Sequence, residues 1–125
     1  MIYAIGHDIV ENRRIEHMLS RYGNRSLSRI LTPLELELLE KRSDKIKFVA
    51  KRFAAKEAFA KACGTGLREP VLLSNISILN DELGKPFFKL AKILDEWLLT
   101  RGILRYHLSL SDERSLSSAI VIFES

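Results

Sequence analysis

One cysteine in 125 residues, Cys63, excludes a disulfide scaffold and suits a reducing compartment. Prolines number three and glycines six, scattered rather than clustered, so the chain has no linker or low-complexity tract. No segment repeats. No apolar run approaches the ~20 residues of a membrane span, and no N-terminal stretch has the form of a signal peptide. The expectation is therefore one cytoplasmic domain over 1–125, which buries roughly two-thirds of its unfolded surface. Aromatics are few, at 8% of residues, and they do not interleave with the basic residues. That weakens the case for a base-stacking nucleic-acid surface.

Basic residues are in excess. Lys and Arg total 20 against 16 acids, a net charge of +4. The surplus concentrates in Arg13, Arg14, Arg21, Arg25 and Arg29, where acids are sparse. Such a stripe attracts an anionic partner and speeds encounter. An acidic protein, a nucleic acid and plain solvent all fit the sign. A small basic nucleic-acid-binding module without catalysis is the alternative to an enzyme.

The segment Arg52–Gly66, RFAAKEAFAKACGTG, is the most informative stretch. It lies in a predicted helix from Lys47 to Cys63. At 100° per residue, Phe48, Ala55, Phe59 and Ala62 share one stripe, while Ala50, Phe53 and Ala54 flank Glu57. Lys61 follows Glu57 by one turn, and Arg52 with Lys56 makes a second charged pair. Two cationic stripes bracketing one carboxylate, ended by Gly64-Thr65-Gly66, suit a metal-bound phosphate. A helix C-terminus repels anions, so the lysines must supply the positive charge. The simpler reading is a wetted face with one i,i+4 pair, worth only ~0.2–0.5 kcal/mol.

A second carboxylate comes from the N-terminus. Met1–Gly6 reads as a short buried strand that Gly6 ends, which puts Asp8 at or near the strand end. Asp8 there either bonds local backbone N–H groups or joins Glu57 on a hard divalent cation. Magnesium uses one or two carboxylates plus water and substrate phosphate. Elsewhere, Thr32-Pro33-Leu34-Glu35 is a capping box opening a helix to about Lys41, and Ser43-Asp44 caps the long helix. Asn75–Leu79 and Pro86–Leu90 form a hairpin. Leu90–Leu99 is an amphipathic helix turning Ile93, Leu94, Trp97 and Leu98 inward. Leu104–Leu110 and Ser118–Phe123 are strands joined by Ser111–Ser115. The fold class is α+β, an antiparallel sheet packed on a long central helix.

Taken in order, Ile5-Gly6-x-Asp8, Arg14, Ile30-Leu31-Thr32-x-x-Glu35, RFAAKEAFAKACGTG, Gly84-Lys85-Pro86 and His107-x-Ser109-Leu110-Ser111 resemble the holo-[acyl-carrier-protein] synthases. These are the small bacterial members of the 4′-phosphopantetheinyl transferase superfamily, and the likeness runs the length of the chain. It departs at Asp112-Glu113, where many relatives carry His, and at His7, where relatives are often apolar.

The resemblance implies the superfamily's fold and Mg²⁺-dependent transfer of 4′-phosphopantetheine from coenzyme A to a serine of apo acyl carrier protein. It implies Asp8 and Glu57 as metal ligands and Lys61 as a phosphate contact, with Gly64, Thr65 and Gly66 letting the backbone approach the cofactor. Arg52 and Lys56 reach the cofactor phosphates or brace the helix. Glu35 sits near the active site to assist proton removal. His107 and Ser109 border the adenosine-phosphate site across a subunit boundary of a homotrimer. Arg14, Arg21 and Arg25 meet the carrier protein. Neither nucleic acid nor membrane is an expected partner.

Overall fold

In the computed structural model, which describes Met1–Ser125, every other element is arranged around one helix, α4, Lys45–Cys63. Asp44 starts it, its carboxylate accepting from the Lys47 N–H at 3.1 Å. Gly64, at φ +76°, stops it by returning its N–H to the carbonyls of Ala60 and Lys61. Ala54, Ala55, Ala58 and Ala62 are all buried, so neighbouring backbone comes close along much of the helix.

Strands β1 (Ile2–Glu11), β4 (Arg105–Asp112) and β5 (Leu116–Glu124) form an antiparallel sheet in the order β1-β5-β4. Alternate residues, among them Val10, Ala119, Val121 and Phe123, bury against α4. At the centre, the Phe59 ring meets Phe123 and Phe88 edge-on, with centroids 5.0 and 5.1 Å apart.

β1 does not end at Gly6. A Cβ at that position would lie 1.8 Å from the Ala58 carbonyl oxygen, so glycine is needed for close approach to α4 rather than for a turn. The strand continues to Glu11, and Asp8 lies inside it, in register with Ala119. β4 and β5 also run longer than expected, which shortens their connection to Glu113–Ser115.

The hairpin β2 (Ile76–Asn80) and β3 (Pro86–Leu90) packs beside the sheet. In its turn, the Asp81 carboxylate accepts from the N–H groups of Leu83 and Lys85 at 2.9 and 2.8 Å. Helix α1 (Asn12–Tyr22) packs on α4, a single turn α2 (Leu27–Ile30) follows, and α3 (Pro33–Glu40) starts at the expected capping box. Helix α5 starts at Lys92 rather than Leu90 and runs to Thr100. Its buried stripe is Leu94 and Leu98, while Ile93 is 61% exposed and is no part of the core. No helix is long and apolar enough to cross a membrane.

The outer face of the three-stranded sheet has no second layer. Ile5, Ile9 and Ile120 are 59, 55 and 43% exposed there. Neither α1 nor α5 covers them: α1 sits on α4, and α5 docks through Tyr106, whose hydroxyl donates to Asp95 at 3.1 Å.

Candidate active site

Asp8 points to the inner face of β1, between Gly6 and Val10, towards the last turns of α4. Its Oδ1 lies 3.0 Å from Lys61 Nζ, which also donates to the His7 carbonyl at 3.0 Å. The Asp8 side chain is 15% exposed and that of Lys61 56%, so the ammonium sits at a rim and the carboxylate behind it.

Glu57, one turn before Lys61, feels Asp8 directly. Its carboxyl is raised above the usual carboxylate range, first by burial and then by the Asp8 charge, while Lys61 and Arg14 pull the other way. The two carboxylates thus share one electrostatic site, a relation that spacing alone did not establish. No three His, Cys, Asp or Glu side chains converge anywhere in the chain. A pair of mutually repelling carboxylates beside solvent fits a hard divalent cation that keeps open positions for water and substrate.

The C-terminus of α4 borders this cluster. Gly64 and Gly66 both have positive φ, and the Thr65 hydroxyl donates to the Gly66 carbonyl at 2.9 Å. The Arg14 charge also reaches Glu57. Arg21 stands 5.5 Å over the Tyr22 ring, and Arg25 lines a small cleft of about 270 Å³ with Met18 and Tyr22.

Glu35 and Lys56 lie elsewhere, both fully buried. Lys56 Nζ donates to Glu35 Oε1 at 2.6 Å, to the Ile30 carbonyl at 2.6 Å and to the Leu73 carbonyl at 3.1 Å. Glu35 Oε1 also accepts the Thr32 N–H, and Oε2 accepts the Ile78 N–H, each at 2.9 Å. All three ammonium protons and both carboxylate oxygens are engaged. Burial lowers the Lys56 pKa, and Glu35 opposes that shift. Glu35, expected as a proton acceptor, is held on both oxygens inside the core, and of the two roles expected for Lys56 its contacts are those of a brace: the pair ties α2, α3 and β2 to α4.

Arg52 belongs to both settings. Its guanidinium stacks 3.7 Å over Phe48 and donates from Nη2 to Asn80 Oδ1 at 3.0 Å. Its Nε is buried without a hydrogen-bond partner, 3.7 Å from Glu35 Oε2. Burial pushes its pKa down to about 10, against the pull of Glu35 and with a push from Arg42. Arg52 lines a shallow cleft of about 380 Å³ with Arg42, Lys51, Asn80, Gly84 and Ser111. Leu110, also on that cleft, is in register with Asp8 through Ala119, two strands or ~10 Å away. Arg42 and Asn80 were not candidates from sequence, and no local pattern marks them.

A family model described as the 4′-phosphopantetheinyl transferase superfamily matches residues 4–119. The chain is 51% identical over 124 residues to the holo-[acyl-carrier-protein] synthase of Laribacter hongkongensis, covering 99% of both chains. This chain belongs to that superfamily, among its holo-[acyl-carrier-protein] synthases. The crystal structure of the Neisseria meningitidis synthase superposes with a TM-score of 0.97 at 47% identity, over 100% of both chains. The Bacillus anthracis synthase, solved in complex with CoA (3′,5′-ADP), gives 0.83 at 38% identity, over 100% of this chain and 98% of that one.

Two residues singled out on the synthase motifs stand apart from the carboxylates. His107 and Ser109 lie on the outer face of β4, in register with Ile122 and Ile120. His107 Nε2 is 2.5 Å from Glu124 Oε1, and Arg105 Nε is 3.3 Å from the same oxygen. His107 first, then Arg105, holds the Glu124 carboxyl below the usual range. Asp112 pairs with Lys51 at 3.2 Å.

Proposed function

We propose that this chain transfers the 4′-phosphopantetheine group from coenzyme A to a serine hydroxyl of apo acyl carrier protein, with Mg²⁺, releasing adenosine 3′,5′-bisphosphate. The observation that carries the reading is Asp8 and Glu57 in one electrostatic site with Lys61 at its rim. Asp8 and Glu57 would hold the Mg²⁺, which when bound neutralises and orients diphosphate oxygens.

The serine oxygen forms a bond to the β-phosphorus and gives up its proton to water, the bond from that phosphorus to the bridging oxygen breaks, and adenosine 3′,5′-bisphosphate leaves with that oxygen. Lys61, held by Asp8 and the His7 carbonyl, presents its ammonium to the phosphates and stabilises charge that grows on the leaving oxygen. Gly64, Thr65 and Gly66 leave the backbone open for the cofactor to lie along it. Glu35 cannot take the serine proton, because both its oxygens are already occupied inside the core.

Arg14, Arg21 and Arg25 present α1 and its exit to an acidic carrier, and the field of Arg14 over Glu57 links that face to the reacting centre. On the other flank of α4, Arg52 meets an anionic group of coenzyme A. The buried group of Arg52, Lys56 and Glu35 carries one uncompensated positive charge, and Arg52 is the member of it that lines the cleft. The synthases of Bacillus anthracis and Helicobacter pylori, both solved with coenzyme A, support this choice of cofactor.

The Arg52 cleft, His107 and Ser109 lie apart from Asp8 within one chain. We therefore assign them to a neighbouring copy's site in a homotrimer that covers Ile5, Ile9 and Ile120. A carboxylate inside the basic cluster serves a metal and would repel nucleic acid, so neither nucleic acid nor membrane is assigned as a partner. The compartment assigned is the cytoplasm, consistent with the single unpaired cysteine. Incubation with coenzyme A, Mg²⁺ and apo acyl carrier protein tests the reading. Mass spectrometry should show the carrier gaining one phosphopantetheine group, with chelator abolishing the gain. An unmodified carrier with Mg²⁺ present refutes it.

A further inference from the structure

We infer that Asn80 is a positioning residue for coenzyme A: it holds the Arg52 and Arg42 guanidinium groups side by side at the cleft and fastens them to the β2–β3 turn. This rests on the reading that Arg52 meets an anionic group of coenzyme A.

Asn80 ends β2, opposite Pro86, and its side chain bridges three segments. Its Oδ1 accepts from Arg52 Nη2 at 3.0 Å and from Arg42 Nη2 at 3.4 Å. Its Nδ2 donates to the Gly84 carbonyl at 3.0 Å. The amide can point only one way, because guanidinium groups offer no acceptor and a carbonyl offers no donor. One small side chain thus ties the end of α3, the middle of α4 and the hairpin turn.

The chemistry of the holder matters as much as its place. Two guanidinium groups drawn together repel, and the exposed Arg42 side chain would otherwise swing into solvent. A carboxylate at position 80 would hold both but cancel one charge. An amide oxygen holds both and leaves both charges available to an anion. The third cation of the cleft differs: Lys51 is paired with Asp112 at 3.2 Å. Arg42 has no carboxylate partner, and Arg52 shares the buried Glu35 with Lys56, so the two guanidinium groups keep a net positive charge at the cleft. Phe48, under Arg52 at 3.7 Å and Arg42 at 5.5 Å, provides a shared platform.

The test is steady-state kinetics with coenzyme A varied and carrier saturating, on wild type, Asn80→Ala, Arg52→Ala and the double variant. One lost hydrogen-bond acceptor should raise KM for coenzyme A by about threefold to tenfold, with kcat changed by less than about twofold. The double variant should lose less than the product of the two single losses, since Asn80 acts partly through Arg52 and otherwise through Arg42. An unchanged KM in Asn80→Ala, or a double variant showing the product of the two losses, overturns the inference.

If Arg52→Ala leaves KM unchanged while Asn80→Ala raises it, the Arg52 reading itself has failed and Asn80 serves only the turn. Asn80→Asp keeps the shape and the acceptor, so it reports even if alanine unfolds the hairpin. It should raise KM and flatten its dependence on salt, because it places a negative charge between the arginines. A wild-type KM with a wild-type salt slope in Asn80→Asp also overturns the inference.

Discussion

Gly6 and Ala58 meet backbone to backbone: a Cβ on Gly6 would lie 1.8 Å from the Ala58 carbonyl oxygen and 2.9 Å from the Ala62 nitrogen. This contact presses β1 onto α4, and Asp8, two residues along on the same face, is carried with it to Lys61 and Glu57. The glycine of the Gly-x-Asp motif serves the site through packing, not through a turn.

Gly6→Ala should therefore push the strand off the helix. A clash with backbone has no flexible side chain to absorb it, so the loss of stability should reach about 3 kcal/mol. Urea denaturation measures it. Transfer activity of the folded fraction should fall as well, because Asp8 moves with the strand.

Lys56→Met should destabilise the protein by about 2–3 kcal/mol, since it removes the 2.6 Å partner of the buried Glu35 and the donor to the Ile30 and Leu73 carbonyls, and leaves Arg52, 3.7 Å away, as the remaining counter-charge. Chemical denaturation measures the loss. The folded fraction should keep its kcat, which separates this pair from the reacting centre.

Glu57 gives a pH dependence of definite sign. Its folded-state proton affinity is raised, chiefly by burial and then by Asp8, so the ionised form opposes folding. Without metal, this contribution makes stability decline as pH rises from the unfolded carboxylate value of about 4.3 through the higher folded value. Thermal melts in chelator should show Glu57→Gln more stable than wild type at neutral pH, with the difference vanishing in acid. Mg²⁺ should raise the wild-type melting temperature and leave Glu57→Gln nearly unmoved.

Ile120→Lys should dissolve the assembly. Ile120 stands in register with His7 and Ser109 on the bare outer face, where a lysine cannot be buried against another copy. Sedimentation should give the mass of a trimer for wild type and of a monomer for the variant, with activity lost alongside. A fully active wild-type monomer would contradict the assignment of His107 and Ser109 to a neighbour's site.

Features governed by neighbours in sequence were legible from it. Asp44 and Gly64 bound α4, the Thr32–Glu35 box opens α3, and the hairpin around Gly84 lies within a residue of expectation. Long-range pairing was not legible. Lys56 and Glu57 are adjacent, but 100° apart on the helix they reach different neighbours, and only the fold shows that Lys56 finds Glu35. Gly6 looked like punctuation because its partner, Ala58, is remote in sequence. Ile93 looked like core because α5 starts two residues later than the apolar run. Asn80 carries no pattern at all, since its value lies in three contacts set by tertiary structure.

The central claim is that Asp8 and Glu57 act as one site. The most direct measurement is kcat/KM for Mg²⁺-dependent transfer to apo carrier protein by Asp8→Ala, Glu57→Ala and the double variant, with folding checked by circular dichroism. Each single variant should drop to the same floor, and the double should go no lower. A double variant whose loss is the product of the two single losses would show that the carboxylates act independently, and would contradict the account.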